Sequence, residues 1–287
     1  MVLWIICTYG SKELKEEYLP DLCSMRTFAS YCLTEAGSGS DAVSLKTKAE
    51  YDPKSETYTI NGSKSFISGG SVSSVYVVMA RTDEKEISCF LIDTKKNSGV
   101  SFGSLEHKMG WKSMPTCIVN FDNVHIPKEH LLGKVGEGFK IAMRALDGGR
   151  INIGTTSIGG AIESFNIALQ YTSERKQFGQ SIQSFQNTQF SLAENFIQLQ
   201  SARLMIQNSS KLLDAKDEKA TIYCAAAKKF ATDTGFHVAN SSLQMLGGYG
   251  YLRDYTVERI VRDLRVHQIL EGTNEIMKLI IARHLIK

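Results

Sequence analysis

The sequence predicts an α+β chain in which a β domain is followed by an antiparallel helical bundle, with a short helical lead-in. Three observations carry this expectation. Short β-rich runs crowd the stretch from about residue 34 to 130. After Gly133, apolar residues recur at helical spacing over long distances. Before the β-rich stretch, the chain is helical in pattern and closes on "YLPDL".

The lead-in, "MVLWIICTYGSKELKEEYLPDL", reads as helix, with Pro20 expected to break it. Its apolar run from Val2 to Cys7 is too short to cross a bilayer and lacks a charged leader. No Arg-rich, acid-poor transit segment is visible, and the start resembles the inside of a helix. In the β part, "TYTINGSKSFIS" sets Asn61-Gly62, a hairpin-turn signal, between two β-rich runs. "SVYVVMA", "ISCFLID" and "TCIVNFDNV" add short strands, which suggests a compact antiparallel domain or barrel. In the helical part, Leu192, Phe196, Leu199, Ala202 and Ile206 mark one buried face. Ala161, Phe165, Ala168 and Leu169 trace a second helix that ends near "SERKQFG". "TIYCAAAKKFATDTGFHVANSSLQML" is a third, closed by Gly247-Gly248, and Thr273-Asn274 are N-cap types that open a fourth. The expected divisions are residues 1–30, 31–132 and 133–287.

Composition narrows the function. A net charge of +3, from 33 basic and 30 acidic residues, is too balanced to suggest nucleic acid or an anionic membrane. The six cysteines are dispersed without a C-x-x-C pair and read as free thiols in a reducing compartment. The six histidines form no H-E-x-x-H or H-x-H cluster, so no metal site is expected.

Chemistry concentrates in a few stretches. "YCLTEAGSGSDA" (Tyr31 to Ala42) is a Gly- and Ser-rich loop that fits either an ordinary connection or a cofactor loop; it is neither a G-x-G-x-x-G fingerprint nor a P-loop. "SERKQFG" places Arg175 and Lys176 at a helix end. On the residues alone this suits a cap against the helix dipole better than a pyrophosphate clamp. "LQMLGGYGYLRDY" clusters glycines and tyrosines where a helix closes. "HQILEGTNEIMKLI" sets Glu271 behind an apolar pair, which fits a surface acid or a base in an apolar pocket.

In order and combination, "CLTEAGSGSDA", "INGSKSFIS", "LDGGRINI", "SERKQFG", "QMLGGYGY" and "ILEGTNEIM" resemble the acyl-CoA dehydrogenase family across nearly the whole chain. The resemblance implies a middle antiparallel β domain or barrel and a C-terminal four-helix bundle. Most of the family's N-terminal helical domain would precede Met1, leaving residues 1–30 as its remnant. It also implies non-covalently bound FAD, an acyl-CoA substrate, electron-transfer flavoprotein as acceptor and a homotetramer built as a dimer of dimers. The mitochondrial matrix follows by family analogy.

Residue by residue, the resemblance makes Glu271 the base that takes the substrate α-proton. Some members carry the base just before the arginine of "LDGGRINI", where this chain has Gly149. Tyr31, Leu33, Thr34, Gly39, Ser40, Phe66 and Ser68 match flavin-lining positions. Arg175, Phe178, Gln186, Gln244, Gly247 and Gly248 match residues that reach the FAD of a neighbouring subunit, and Thr273 and Glu275 match a further FAD-contacting stretch. Ser40, Asp147, Gly148, Gly149, Arg150 and Arg283 match the acyl-CoA side, with 147–150 as a substrate-binding turn. "GSKSFISGG", "LDGGRINI" and "RVHQILEGTNEIM" look most like the branch that converts isobutyryl-CoA to methacrylyl-CoA in valine breakdown. Leu270, where straight-chain members often carry an aromatic, agrees with a short branched acyl group. A short-chain or 2-methylbutyryl-CoA dehydrogenase, or a non-catalytic FAD- or subunit-binding protein, are the alternatives.

Overall fold

The computed structural model describes residues 1–286. The elements follow in the order α1 (Val2–Tyr9), α2 (Lys12–Cys23), β1 (Ala29–Cys32), β2 (Lys48–Asp52), β3 (Thr57–Ser68), β4 (Val75–Arg81), β5 (Ile87–Asp93), β6 (Val100–Phe102), β7 (Thr116–Pro127) and β8 (Leu131–Leu132). Then come α3 (Gly138–Glu174), a small hairpin of β9 (Lys176–Gln177) and β10 (Gln180–Ser181), α4 (Gln186–Asp214), α5 (Ala220–Leu246), α6 (Val257–Arg265) and α7 (Asn274–Leu285). The chain forms two compact units, one of residues 1–108 and 112–146, the other of 109–111 and 147–287. The division falls inside α3, after Leu146, rather than at a linker.

In the first unit one eight-stranded sheet runs in the order β6-β7-β3-β2-β4-β5-β8, with β1 added parallel to β4. The remaining ladders are antiparallel, apart from one parallel bridge between Lys48 of β2 and Arg81 of β4. Strands β4 and β5 are buried on both faces, which is why their sequences read as continuous apolar runs. Alternate residues serve two cores. Val75, Val77, Met79, Cys89 and Leu91 pack with Ile5, Ile6, Leu14, Tyr18 and Leu22 of the first two helices. Tyr76, Val78, Ala80, Phe90 and Ile92 face Tyr58, Ile60, Val119 and Val124 instead.

Two local expectations are corrected here. Pro20 does not end the lead-in helix, because α2 continues to Cys23 and buries Tyr18 and Leu22 on either side of it. The proline ring stands on the exposed face and removes one backbone donor, a loss the buried face outweighs. Asn61-Gly62 is likewise not a hairpin turn. Strand β3 runs straight through it, and the turn to β2 lies at residues 53–56. The pairing of β3 with β7 shifts register between Ile60 and Gly62, so the glycine marks a bulge. Gly62 has φ +150°, and a Cβ there would lie 2.6 Å from Thr47 Oγ1. Only glycine meets both conditions.

In the second unit, α3, α4, α5 and α6 share a core of Ile151, Ile158, Leu199, Ile206, Ala227, Ala231, Val238 and Leu264. The helices approach closely at small residues. An added Cβ at Gly154 would lie 2.4 Å from Ile206 Cδ1, and one at Gly235 would lie 2.9 Å from Ser157. Helix α5 ends where its sequence predicts, with Gly247 at φ +59° as C-cap. The Thr273 side chain caps α7 by accepting from the Ile276 N–H. Helix α6, with its buried Val257, Ile260 and Leu264, is an element the sequence reading did not single out.

Candidate active site

Glu271 lies in the short connection between α6 and α7, in a left-handed conformation with φ +57°, followed by Gly272 at φ +89°. A non-glycine residue in that region is uncommon and is held there by its surroundings. The residue is half-buried as a whole, but its Oε2 is fully buried and accepts no hydrogen bond. Burial pushes the carboxyl from its ordinary 4.5 up to about 7, while the charges of Arg150 and Lys228 pull it down. Burial wins because water is removed from the charged form and no donor replaces it. Of the two apolar residues before it, Leu270 is half-buried and Ile269 is 51% exposed.

Arg150 belongs to α3, as do Asp147, Gly148 and Gly149, so this stretch is helix rather than the turn expected from sequence. The i, i+3 spacing puts Asp147 and Arg150 on one face. Arg150 Nη1 donates to Asp147 Oδ1 at 2.7 Å, and Thr221 Oγ1 of α5 donates to Asp147 Oδ2 at 2.7 Å. Both charged residues are buried, and burial raises the Asp147 carboxyl against the lowering effect of Thr221 and Arg150. The Arg150 Nε has no partner. Arg283 lies elsewhere on α7, where it lines a cavity of about 210 Å³ together with Thr221.

His267, one turn before Glu271, is also buried. Its Nδ1 lies 2.6 Å from Ser157 Oγ, and Trp111 meets its ring edge-on at 5.2 Å between centroids. Burial, reinforced by the Lys228 charge, lowers it to about 4, so the ring is neutral at physiological pH.

A second feature of the same unit unites four predicted positions. Arg175, Gln244, Gly247 and Gly248 line an open groove of about 430 Å³ with Tyr171 and Tyr249. The Arg175 guanidinium lies 5.6 Å from the centre of the Tyr249 ring. A Cβ at Gly247 or Gly248 would meet nothing within 4 Å, so the backbone there is open to an incoming group. Phe178 and Gln186 are exposed and do not line this groove. Phe178 sits with Gly179 at the tip of the β9–β10 hairpin. Both have positive φ, the pattern of a type I′ turn, and the phenyl ring is 93% exposed. Thr273 is half-buried as the cap of α7, and Glu275 is exposed in its first turn.

The first unit carries the Gly-rich loop. Glu35 is its anchor, a residue the sequence reading left without a role. It accepts from Thr47 N, Thr47 Oγ1, Lys46 N and Lys64 Nζ at 2.6–2.9 Å. Lys64 is completely buried and also donates to Leu33 O. Burial would raise Glu35, but the Lys64, Thr47 and Lys46 donors hold its carboxyl below the usual range. The loop is thereby fixed at Leu33 to Glu35, with Thr34 O accepting from Ser65 N, while Gly37, Gly39 and Ser40 stay exposed. Tyr31 and Leu33 lie on and just after β1, half-buried and buried. The ladder slips again between Lys64 and Ile67, and Phe66 occupies the bulge with φ +57°. Its ring is 68% exposed, and Ser68 follows on the same exposed face of β3.

These parts suit FAD. An outward-held aromatic offers an apolar face to a planar ring system. A loop with open glycines and hydroxyls suits a polyol, and a guanidinium beside bare backbone suits a pyrophosphate. Among the described residues no cluster of potential metal ligands occurs, and no helix is long and apolar enough to cross a membrane.

Comparison with known proteins gives the same family from both halves of the chain. The acyl-CoA dehydrogenase middle domain matches residues 30–124, and the acyl-CoA dehydrogenase C-terminal domain matches residues 136–286. The mitochondrial isobutyryl-CoA dehydrogenase of Dictyostelium discoideum is 51% identical over all of this chain and 69% of its own length. Its Bos taurus counterpart is 48% identical over the same shares. Among solved structures, butyryl-CoA dehydrogenase from Megasphaera elsdenii superposes with a TM-score of 0.95 at 34% identity, covering 99% of this chain and 75% of that one. A chain from work on the electron transferring flavoprotein of Acidaminococcus fermentans gives 0.94 at 37% identity, over the same shares. An acyl-CoA dehydrogenase complexed with FAD from Bacillus anthracis gives 0.92 at 33% identity, over 98% of this chain and 51% of that one. With both domains matched in sequence and in fold, this chain is a member of the acyl-CoA dehydrogenase family of oxidoreductases.

Proposed function

We propose that this enzyme uses FAD to dehydrogenate a short branched acyl-CoA, isobutyryl-CoA to methacrylyl-CoA, with Glu271 as the base. The observation that carries the reading is the Glu271 carboxylate itself, whose buried Oε2 has no hydrogen-bond partner and whose affinity for a proton is raised to about 7. An ordinary carboxylate is a weak base toward a carbon acid. One destabilised by burial, and ionised only near neutrality, is better matched to the task.

When bound, FAD supplies the hydride acceptor at N5. The chain's own residues do the rest. Glu271 takes the α-proton while the β-hydrogen departs with its electron pair, leaving the carbon–carbon double bond. By the family resemblance, the Glu271 N–H donates to the thioester carbonyl, which acidifies the α-carbon as an oxyanion hole would. The buried Asp147–Arg150–Thr221 set fixes the Arg150 charge that acts on Glu271, and the family resemblance assigns Asp147 and Arg150 to the acyl-CoA side. Thr34, Phe66 and Ser68 would hold the flavin from the first unit, and Arg175, Gln244, Gly247 and Gly248 the cofactor of a neighbouring subunit. Sites shared in this way require an oligomer, a dimer of dimers in this reading. A mitochondrial location is supported by the names of two relatives, and electron-transfer flavoprotein as acceptor by the origin of one structural neighbour in work on such a flavoprotein; the matrix and valine breakdown follow from the family resemblance alone.

The test is the visible spectrum of the purified protein before and after anaerobic isobutyryl-CoA. Bleaching of a flavin band, abolished in Glu271→Gln, is the expected result. A protein without flavin, or a flavin indifferent to short-chain acyl-CoA thioesters, would favour a non-catalytic binding role.

A further inference from the structure

Lys228 of α5 is completely buried, and the proposed reaction gives it no part. Its Nζ donates to Gly272 O at 2.8 Å and to Asn274 Oδ1 at 2.9 Å. Gly272 directly follows Glu271, and Asn274 begins α7. Asn274 in turn donates to Thr232 Oγ1 at 3.0 Å and to Asp233 Oδ1 at 2.7 Å. Gln268 Nε2, on the other side of Glu271, donates to the same Asp233 oxygen at 2.7 Å. Adjacent turns of α5 therefore grip the Glu271 connection at both ends.

A structural tie between α5 and α7 does not need a charge. Burying an ammonium is costly, and two neutral oxygens compensate it only in part. Burial pushes Lys228 down to about 8, and the first influence opposing that is Glu271. The remaining charges that face it are Arg150, which disfavours the ammonium, and Asp233 and Glu275, which favour it. His267, also affected by Lys228, is neutral near pH 7. The ammonium and the Glu271 carboxyl are thus each influenced by the other, while hydrogen bonds from the ammonium fix the peptide after the carboxyl-bearing residue.

We propose that Lys228 is a positioning residue for Glu271: its hydrogen bonds to Gly272 and Asn274 hold residue 271 in the left-handed conformation, and its charge adds to that of Arg150 in favouring the carboxylate. The inference rests on the reading of Glu271 as the base.

The experiment compares wild type, Lys228→Met, Lys228→Gln and Glu271→Gln, all as FAD-loaded protein. Glutamine retains hydrogen-bond donors without the charge, whereas methionine removes both. Two quantities are read against pH: kcat/KM for isobutyryl-CoA, and the infrared carbonyl band of the protonated Glu271 carboxyl, assigned by its absence in Glu271→Gln. Removing a neighbouring positive charge disfavours the carboxylate. The acidic limb and the infrared midpoint should therefore both rise measurably in each Lys228 variant. Above the limb, kcat should fall at least about tenfold in Lys228→Met and less in Lys228→Gln, which can still hold the loop. Unmoved midpoints would overturn the inference, even with a lowered Tm, because they would leave Lys228 a core-packing residue. If Lys228→Met does not fold, the midpoint of Lys228→Gln decides alone. Turnover surviving in Glu271→Gln would overturn the base assignment and this inference with it. An inactive Glu271→Gln beside unshifted Lys228 variants would overturn the inference only.

Discussion

Glu271→Gln should make the protein inactive and, above neutral pH, more stable. A carboxyl whose folded-state pKa is raised from 4.5 to about 7 holds its proton more tightly in the native state than in the unfolded chain. The sign follows from linkage. Below 4.5 both states are protonated and the folded state bears no charge penalty; as pH rises from 4.5 to 7 the unfolded chain ionises while the native carboxyl keeps its proton, and stability is lost until the buried group itself ionises near 7. A difference of about 2.5 units at 1.36 kcal/mol each gives a penalty of about 3 kcal/mol at pH 8, and under about 1 kcal/mol at pH 5. Glutamine is close in shape and has no charge to bury, so it removes this penalty. Urea unfolding of both proteins at pH 5 and pH 8 measures the effect, with the stability gap opening toward high pH. A gap that is the same at both pH values, or a variant less stable than wild type at pH 8, would refute the argument that burial governs this carboxyl.

Further outcomes follow from the same geometry. The kcat/KM of the wild-type enzyme should rise through an acidic limb near pH 7, about tenfold from pH 6 to pH 8, as the base ionises; a profile flat from pH 5 to 8 would oppose the assignment. Lys64→Met leaves Glu35 buried without its cation and should cost about 3–5 kcal/mol in chemical denaturation, with much of the loss recovered on adding Glu35→Gln. Gly62→Ala places a methyl against Thr47 at φ +150° and should cost ~2 kcal/mol or more, seen as a lowered Tm. Phe178→Ala, at an exposed hairpin tip, should change stability by less than about 0.5 kcal/mol while FAD is retained less well through gel filtration.

Residues acting through local geometry were legible in the sequence. Thr273 caps a helix because its hydroxyl reaches three residues ahead, and Gly247 ends one because it tolerates positive φ. The clustering of Arg175 with Gln244, Gly247 and Gly248 was foreshadowed only by the family resemblance, since nearly seventy residues separate Arg175 from the others and no local rule joins them. Lys64 and Lys228 escaped notice for a different reason. A lysine in a strand or helix is ordinarily a solvated face, and only the fold reveals that each ammonium is wholly enclosed. Asn61-Gly62 misled because the dipeptide permits unusual backbone angles without specifying their use; proximity to Thr47, fourteen residues upstream of Asn61, turned it into a bulge. The helical placement of Asp147 to Arg150 was obscured by two adjacent glycines, whose cost to a helix the buried ion pair and flanking core outweigh.

The small-residue seams of the bundle divide its glycines into two groups for anyone seeking a more heat-resistant version. Glycine inside a helix forfeits roughly 1 kcal/mol relative to alanine, so propensity alone would recommend replacing every one. At Gly154 and Gly235 the added methyl would collide with Ile206 and with the Ser157 backbone, prying helices apart. At Gly159 it would meet nothing within 4 Å. Gly159→Ala is therefore a substitution that gains helix propensity at no packing cost, while the same exchange at Gly154 or Gly235 would loosen the scaffold that holds the Glu271 connection.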